Sequence, residues 1–141
     1  FARTVAVDDH DANGRKHLCA MDPADFEKLI ADYFLRRGFV RTEVIGHSGD
    51  RGVDILATNT QGELELIQCK RYRPGNNIGS TPIQRVDSYM RSRHARRAWV
   101  ITTSDFTPDG RDEARITNVI IMNGQDLLQS LELYYPGQYC L

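Results

Sequence analysis

One stretch decides how this chain folds: Gly52-Val53-Asp54-Ile55-Leu56-Ala57-Thr58, then Asn59-Thr60-Gln61-Gly62, then Leu64-Glu65-Leu66-Ile67-Gln68-Cys69-Lys70-Arg71-Tyr72. Its first and last parts are apolar runs of strand length. The middle part supplies turn residues, so the two runs are predicted to form an antiparallel hairpin. Thirteen residues separate Asp54 from Gln68, enough to run out along one strand and back along the other. The hairpin therefore places Asp54 beside Gln68.

The residues at this end of the hairpin suit metal-dependent phosphate chemistry. Gln68 and Lys70 are two apart, so the pleat of a strand points both side chains to one face. A carboxylate in an apolar strand costs free energy unless a cation or a donor meets it. Carboxylate and amide oxygens, with waters, are ligands that Mg²⁺ prefers, and a lysine beside them would orient water or stabilise phosphate charge. The same residues also fit a structural ion pair between Asp54 and Lys70.

Four separated strings resemble the Mrr-type restriction endonuclease catalytic domain of the PD-(D/E)XK nuclease superfamily, in the subgroup that has Gln in its third motif. The resemblance covers about residues 22–131, and its strings are Phe26-Glu27-Lys28-Leu29-Ile30, Gly49-Asp50-Arg51-Gly52-Val53-Asp54-Ile55, Gln68-Cys69-Lys70-Arg71-Tyr72 and Ile101-Thr102-Thr103-Ser104-Asp105-Phe106-Thr107. It implies DNA cleavage with Mg²⁺, or Mn²⁺ in its place. Asp54, Gln68 and Lys70 fall on the catalytic positions, and the backbone carbonyl of Cys69 is expected to be a further metal ligand.

Glu27 has two interpretations. The predicted first helix begins at Asp22-Pro23, and Glu27 falls about 20° beyond Phe34, at the margin of the apolar stripe. From the residues alone it fits a solvated helix glutamate at the edge of the core. The resemblance implies instead that Glu27 reaches the metal site, and we expect a catalytic, metal-side role for it.

Basic residues are concentrated after the hairpin. The whole chain has a net charge of −1, yet residues 70–97 contain eight Lys or Arg and a single acid, Asp87, a net charge of +7. Such a run is often only a solvated face, but this one begins at the proposed site, which favours contact with phosphates. The residues expected to contact duplex DNA are Arg51, Arg71, Arg73, Gln84 and Arg85.

The order of predicted elements is helix, three strands, helix, strand, helix and strand, which indicates an α/β fold. The resemblance implies an αβββαβ core of the restriction-endonuclease type, with a mixed central sheet flanked by helices. At 141 residues the chain fits one domain. We expect residues 1–20 to be a linker or irregular lead-in and residues 21–141 to be the nuclease domain. The chain begins at Phe1 and not at methionine, so we expect it to be a piece of a longer protein, and the resemblance implies an additional reader domain outside it.

Composition also bears on whether the chain is a disulfide-linked, zinc-binding, secreted or membrane protein. Three widely spaced cysteines favour neither a disulfide framework nor a zinc site. No apolar run reaches membrane-spanning length and no signal peptide opens the chain, so we expect a cytoplasmic protein without membrane contact.

The leading hypothesis is an endonuclease that cuts duplex DNA, in restriction of foreign or modified DNA. The alternatives are a repair or Holliday-junction nuclease and a non-catalytic DNA-binding module on the same fold. Cutting both strands with one site per chain most simply needs a homodimer, at least on DNA.

Overall fold

The computed structural model describes residues 10–46 and 52–141. In chain order its elements are β1 (Lys16–His17), a 3₁₀ turn (Leu18–Ala20), α1 (Pro23–Arg36), β2 (Arg41–Val44), β3 (Ile55–Thr58), β4 (Leu64–Lys70), α2 (Ser80–Ser92), β5 (Arg97–Thr102), α3 (Pro108–Thr117), β6 (Ile120–Met122), α4 (Gly124–Tyr134) and β7 (Tyr139–Cys140). No helix in these two ranges combines the length and the apolar composition needed to cross a bilayer.

Five strands form the central sheet, in the order β2-β3-β4-β5-β6. β2, β3 and β4 are antiparallel neighbours, whereas β4, β5 and β6 run parallel. The predicted α/β fold with a mixed sheet is therefore confirmed. The carboxyl end of β4 lies beside the carboxyl end of β5, with Lys70 opposite Thr102.

Helices cover both faces of the sheet because successive side chains of the strands point to opposite sides. On one face Ile67 packs in a core with residues of α1 and α4, such as Phe34 and Leu127. On the other face Leu66 packs in a second core with Ile83 of α2 and Ala114 of α3. The candidate site lies at the end of β4, between the layers that these helices form.

The segment predicted as an irregular lead-in contains regular structure in its last residues. β1 pairs in parallel with β7 at the other end of the chain, and Leu18 is fully buried in the core that α1 and α4 share. Strands of two residues carry no readable periodicity, so the sequence did not indicate this pairing.

Candidate active site

The hairpin of β3 and β4 brings Asp54 against Gln68, as its length predicted. Ile55 is paired with Ile67, so Asp54 stands beside Gln68 on the neighbouring strand. One carboxylate oxygen, Oδ2 of Asp54, accepts hydrogen bonds from Nε2 of Gln68 at 2.8 Å and from the backbone N–H of Cys69 at 2.7 Å. Both Asp54 and Gln68 are buried. The hydrogen bonds compensate for much of the cost of burying this carboxylate.

The two polar atoms of the Gln68 carboxamide, Nε2 and Oε1, differ in their hydrogen bonding. Nε2 also donates to the carbonyl oxygen of Cys69 at 3.1 Å. Oε1 is completely buried and has no hydrogen-bond partner among residues 10–46 and 52–141. A buried acceptor without a donor is uncommon in folded proteins, so this oxygen is the most conspicuous polar atom of the site.

Lys70 shares a small cavity with these two residues. The cavity has a volume of about 70 Å³ and is lined by Gly52, Val53, Asp54, Gln68, Lys70, Pro82 and Arg85. The ammonium of Lys70 lies 5.8 Å from the centre of the Tyr72 ring, within the range of a cation–π contact. The structure thus brings three of the four residues predicted as catalytic into one pocket.

Two threonines of the neighbouring strand fix the backbone around Lys70. The carbonyl oxygen of Lys70 accepts from Oγ1 of Thr102 at 2.8 Å and from the N–H of Thr103 at 3.2 Å. Oγ1 of Thr103 accepts from the N–H of Tyr72 at 2.9 Å and donates to its carbonyl oxygen at 2.6 Å. The sequence pointed to Thr102 and Thr103 only as part of a string that resembles the family, without a role.

Glu27 approaches the site from α1, on the other face of the sheet. It is buried, with 6% of its surface exposed, and is not the solvated glutamate at the edge of the core that the residues alone indicated. Burial raises the pKa of the Cys69 thiol well above its usual value, and the charges of Asp54 and Glu27 raise it further. Glu27 is therefore within electrostatic reach of the strand end that carries Asp54, but it does not line the cavity with Gln68 and Lys70.

The five residues predicted to contact DNA have different surroundings. Arg85 lines the cavity, and Arg73 is exposed in the loop that follows β4. Arg71 is half-buried and donates to the carbonyl oxygen of Cys19 at 2.7 Å. Gln84 donates to Glu113 of α3 at 3.1 Å and is not among the cavity residues. Arg51 lies outside the described residues.

The basic run does not form one patch at the site. α2 leads away from the end of β4, so the arginines at its far end lie near the start of β5. There Arg91 pairs with Asp87, and Arg96 is 3.7 Å from Glu63. Within residues 10–46 and 52–141, Lys70 and Arg85 are the cations that line the cavity and Arg73 is exposed in the loop after β4, a smaller charge than the sequence count suggested.

A larger cavity lies at the opposite end of β4. Its volume is about 260 Å³, and the buried Glu65 is among its lining residues. Both oxygens of Glu65 have donors, since Oε1 accepts from Nε1 of Trp99 at 2.8 Å and Oε2 from Nδ2 of Asn59 at 2.9 Å. This carboxylate holds the hairpin turn against β5, which is a structural task.

The small cavity passes a chemical test for a hard divalent cation. In the described part of the chain, no three His, Cys, Asp or Glu side chains converge on one point. A cation there would depend on the Asp54 carboxylate together with the neutral oxygens of Gln68 and the Cys69 backbone. The unpartnered Oε1 of Gln68 fits that requirement, because it is an available ligand in a buried place.

Comparison with known proteins identifies the family of this chain. The chain matches the Mrr_cat restriction endonuclease family over residues 18–131. It is 28% identical over 120 residues to the type IV methyl-directed restriction enzyme EcoKMrr of Escherichia coli (strain K12), a match that covers 80% of this chain and 39% of that protein. The chain thus spans about two fifths of the length of this relative.

Two solved structures share the fold. The DNA modification-dependent restriction endonuclease AspBHI superposes with a TM-score of 0.64 at 17% identity, over 83% of this chain and 33% of that one. The MspJI restriction endonuclease in complex with a 27-mer oligonucleotide gives 0.57 at 22% identity, over 75% of this chain and 27% of that one. The family match extends over most of the chain, and the chain belongs to the Mrr_cat family of restriction endonuclease domains.

Proposed function

We propose that this chain is the catalytic domain of an endonuclease that hydrolyses phosphodiester bonds of duplex DNA with Mg²⁺. One observation carries the proposal: Asp54, Gln68 and Lys70 line a single cavity, and the buried amide oxygen of Gln68 has no partner in the part of the chain that the structure describes. This combination supplies hard oxygen ligands and an adjacent cationic side chain, which hydrolysis of a phosphodiester requires.

The residues that would hold the cation are Asp54, Gln68 through Oε1 and Cys69 through its carbonyl oxygen. When bound, Mg²⁺ supplies a Lewis acid for a phosphate oxygen and lowers the pKa of a bound water. Mn²⁺ accepts the same kind of oxygen ligands and is expected to replace it. Glu27, buried behind the end of β4, adds negative charge on the far side of the strand and supports the site.

Lys70 is proposed to orient the attacking water and to stabilise negative charge on the phosphate. Its side chain lines the cavity, and its backbone is fixed by Thr102 and Thr103. A charged donor held in position stabilises developing charge without the cost of reorganising at the moment of reaction. A flexible lysine on a loop would not have this advantage.

DNA would approach along the end of β4 and the start of α2. Arg85 at the cavity and the exposed Arg73 are the best-placed contacts for phosphates near the scissile bond. Arg71 is engaged by the carbonyl oxygen of Cys19 and Gln84 by Glu113 at the surface, and both are proposed to support this surface indirectly. Arg51 remains a proposed DNA contact from the sequence.

The biological role that we propose is restriction of foreign or modified DNA. Similarity to EcoKMrr supports it, because that protein is a type IV methyl-directed restriction enzyme. The relative is much longer than this chain, which supports a reader domain outside residues 1–141 that selects the target. A homodimer on DNA would provide the two sites that a double-strand cut needs.

Cleavage of plasmid DNA tests the proposal. The protein is incubated with supercoiled plasmid, methylated or unmethylated, in Mg²⁺ and in Mg²⁺ with excess chelator. We expect nicked and linear products with Mg²⁺ and none with chelator. Binding without cutting in Mg²⁺ would instead indicate the non-catalytic module, and preferential cleavage of four-way junctions over linear duplex would indicate the repair nuclease.

A further inference from the structure

The orientation of the Gln68 carboxamide follows from the atoms around it. Nε2 lies between two oxygens, Oδ2 of Asp54 at 2.8 Å and the carbonyl oxygen of Cys69 at 3.1 Å, and donates to both. The opposite orientation would place Oε1 against these same two acceptors, with no donor between them. Three oxygens so close together would repel one another. The orientation in which Nε2 faces the two acceptors is therefore the favourable one in the absence of a cation.

A cation reverses this preference. The two oxygens that accept from Nε2 are also two of the three proposed cation ligands. An amide nitrogen has no lone pair available for coordination and carries two hydrogens, so it would face the cation unfavourably. The carboxamide oxygen, by contrast, is a good ligand for a hard cation.

We propose that the Gln68 carboxamide flips, by a rotation of about 180° about its terminal side-chain torsion, when the site binds its cation. In the cation-free protein Nε2 bridges Asp54 and Cys69, and in the bound protein Oε1 faces the same position. The proposal rests on the proposed function, since it requires that the site bind a divalent cation. It assigns a second role to Gln68, whose Nε2 donates two hydrogen bonds to the proposed ligand oxygens when no cation is bound.

The surroundings of Gln68 allow this rotation. Oε1 is buried next to the backbone of Gly52, where a Cβ atom would lie 3.3 Å from the oxygen. Because residue 52 is glycine, no side chain is wedged against the carboxamide on that side. The nitrogen and oxygen of the amide exchange places without a shift of β4, since the two groups have nearly the same size.

The neutral amide also explains what glutamine offers over glutamate here. Glutamate would place its oxygens against Asp54 and the Cys69 carbonyl in the cation-free protein, with repulsion and no donor. Glutamine donates hydrogen bonds in place of that repulsion. These bonds stabilise the protein in the absence of a cation and compete with cation binding. The glutamine site is therefore expected to bind its cation more weakly and to be more stable without it.

NMR of the side-chain amide tests the rotation directly. The chain contains six glutamines, and protein labelled with ¹⁵N-glutamine gives one NH₂ pair from each, with Gln68 assigned from the pair missing in Gln68→Glu. Mg²⁺ is titrated while calorimetry measures binding independently. We expect the Gln68 pair to shift with the calorimetric midpoint, because Nε2 loses its carboxylate and carbonyl acceptors, whereas the exposed Gln125 pair stays in place.

The outcomes separate the two proposals. Heat of Mg²⁺ binding that Asp54→Asn abolishes, together with an unmoved Gln68 pair, would overturn the rotation and leave the metal site intact. Absence of any Mg²⁺ binding would overturn the metal dependence and the rotation with it.

Gln68→Glu supplies a second readout. We expect this variant to bind Mg²⁺ about tenfold more tightly, because it adds a charged ligand and removes the competing hydrogen bonds. Its melting temperature without cation should fall below that of the wild type, and Mg²⁺ should raise it by more. Equal Mg²⁺-induced shifts in the two proteins would contradict the proposal, and circular dichroism in Mg²⁺ checks that the variant folds.

Discussion

Thr103 shows how a single hydroxyl serves the candidate site. Its Oγ1 accepts from the N–H of Tyr72 and donates to the carbonyl oxygen of the same residue, and only 5% of the threonine surface is exposed. These bonds hold the backbone immediately after Arg71 as β4 leaves the sheet. The position of Lys70 therefore depends on a residue that is 33 positions later in the chain.

Thr103→Val keeps the shape of the side chain and removes the hydroxyl. We expect it to lower the free energy of unfolding by about 1–3 kcal/mol, because both backbone groups of Tyr72 lose a partner in a partly buried place. Thr103→Ser, which keeps the hydroxyl, should lose much less. Urea unfolding measures the difference, and equal stability of the valine and serine variants would show that these hydrogen bonds contribute nothing.

For individual residues, the sequence predicted contacts between partners that are close in the chain. Asp54 and Gln68 meet because a hairpin of known length joins them, and Lys70 follows by the pleat of the strand. The contacts of Arg71 with Cys19 and of Gln84 with Glu113 depend on how distant segments pack, which no local pattern encodes. For that reason the sequence could not separate Arg85 at the cavity from Gln84 beside it.

Among the elements, α4 begins in close contact with the backbone that follows β5. A Cβ atom on Gly124, the first residue of α4, would lie 2.4 Å from the carbonyl oxygen of Thr103. Asn123 and Asp126 form a capping box that fixes the start of this helix. The helix is thus held against the end of β5, next to the hydroxyl that fixes Tyr72.

Gly124→Ala is expected to push α4 away from β5, because the methyl group collides with backbone that cannot move aside. We expect a loss of about 1–3 kcal/mol in the free energy of unfolding. The control is Gln125→Ala, one residue further along the same helix, where the side chain is exposed. Chemical unfolding compares the two variants, and a Gly124→Ala protein as stable as its control would contradict the tight contact.

The sequence predicted the long elements well and the short ones poorly. α1 and the β3–β4 hairpin have clear periodicity and turn residues, and both were predicted from these signals. β1 and β7 have two residues each and pair across almost the whole chain length, so no local signal marks them. α4 extends to Tyr134, since no glycine or proline stops it earlier.

Across the whole molecule, the charges that face the candidate site are fewer than the composition implies. Lys70 and Arg85 line the cavity and Arg73 is exposed in the loop after β4, whereas Arg91 and Arg96 pair with acids elsewhere. We expect DNA affinity to fall with salt with a log–log slope of about −3 for each protomer, near −0.9 for each phosphate neutralised.

A salt series by fluorescence anisotropy on the Lys70→Ala protein measures this slope with one contact removed, where about −2 is expected. Arg73→Glu should weaken binding to all sequences alike, and Arg96→Glu should change it much less because Glu63 already faces that arginine. A slope near zero would show that the basic run is an ordinary solvated face. An equal effect of Arg73→Glu and Arg96→Glu would place the DNA elsewhere.

The central claim is that Asp54, Gln68 and Lys70 form one hydrolytic site, and nicking of supercoiled plasmid by Lys70→Ala in Mg²⁺ tests it most directly. Lys28→Ala, which changes an exposed lysine of α1, is the matched control. We expect the Lys70→Ala protein to fold normally, to bind DNA only modestly less well and to lose activity by about 100-fold or more, while Lys28→Ala cuts as the wild type does. Nicking at the wild-type rate by pure Lys70→Ala protein would contradict the account.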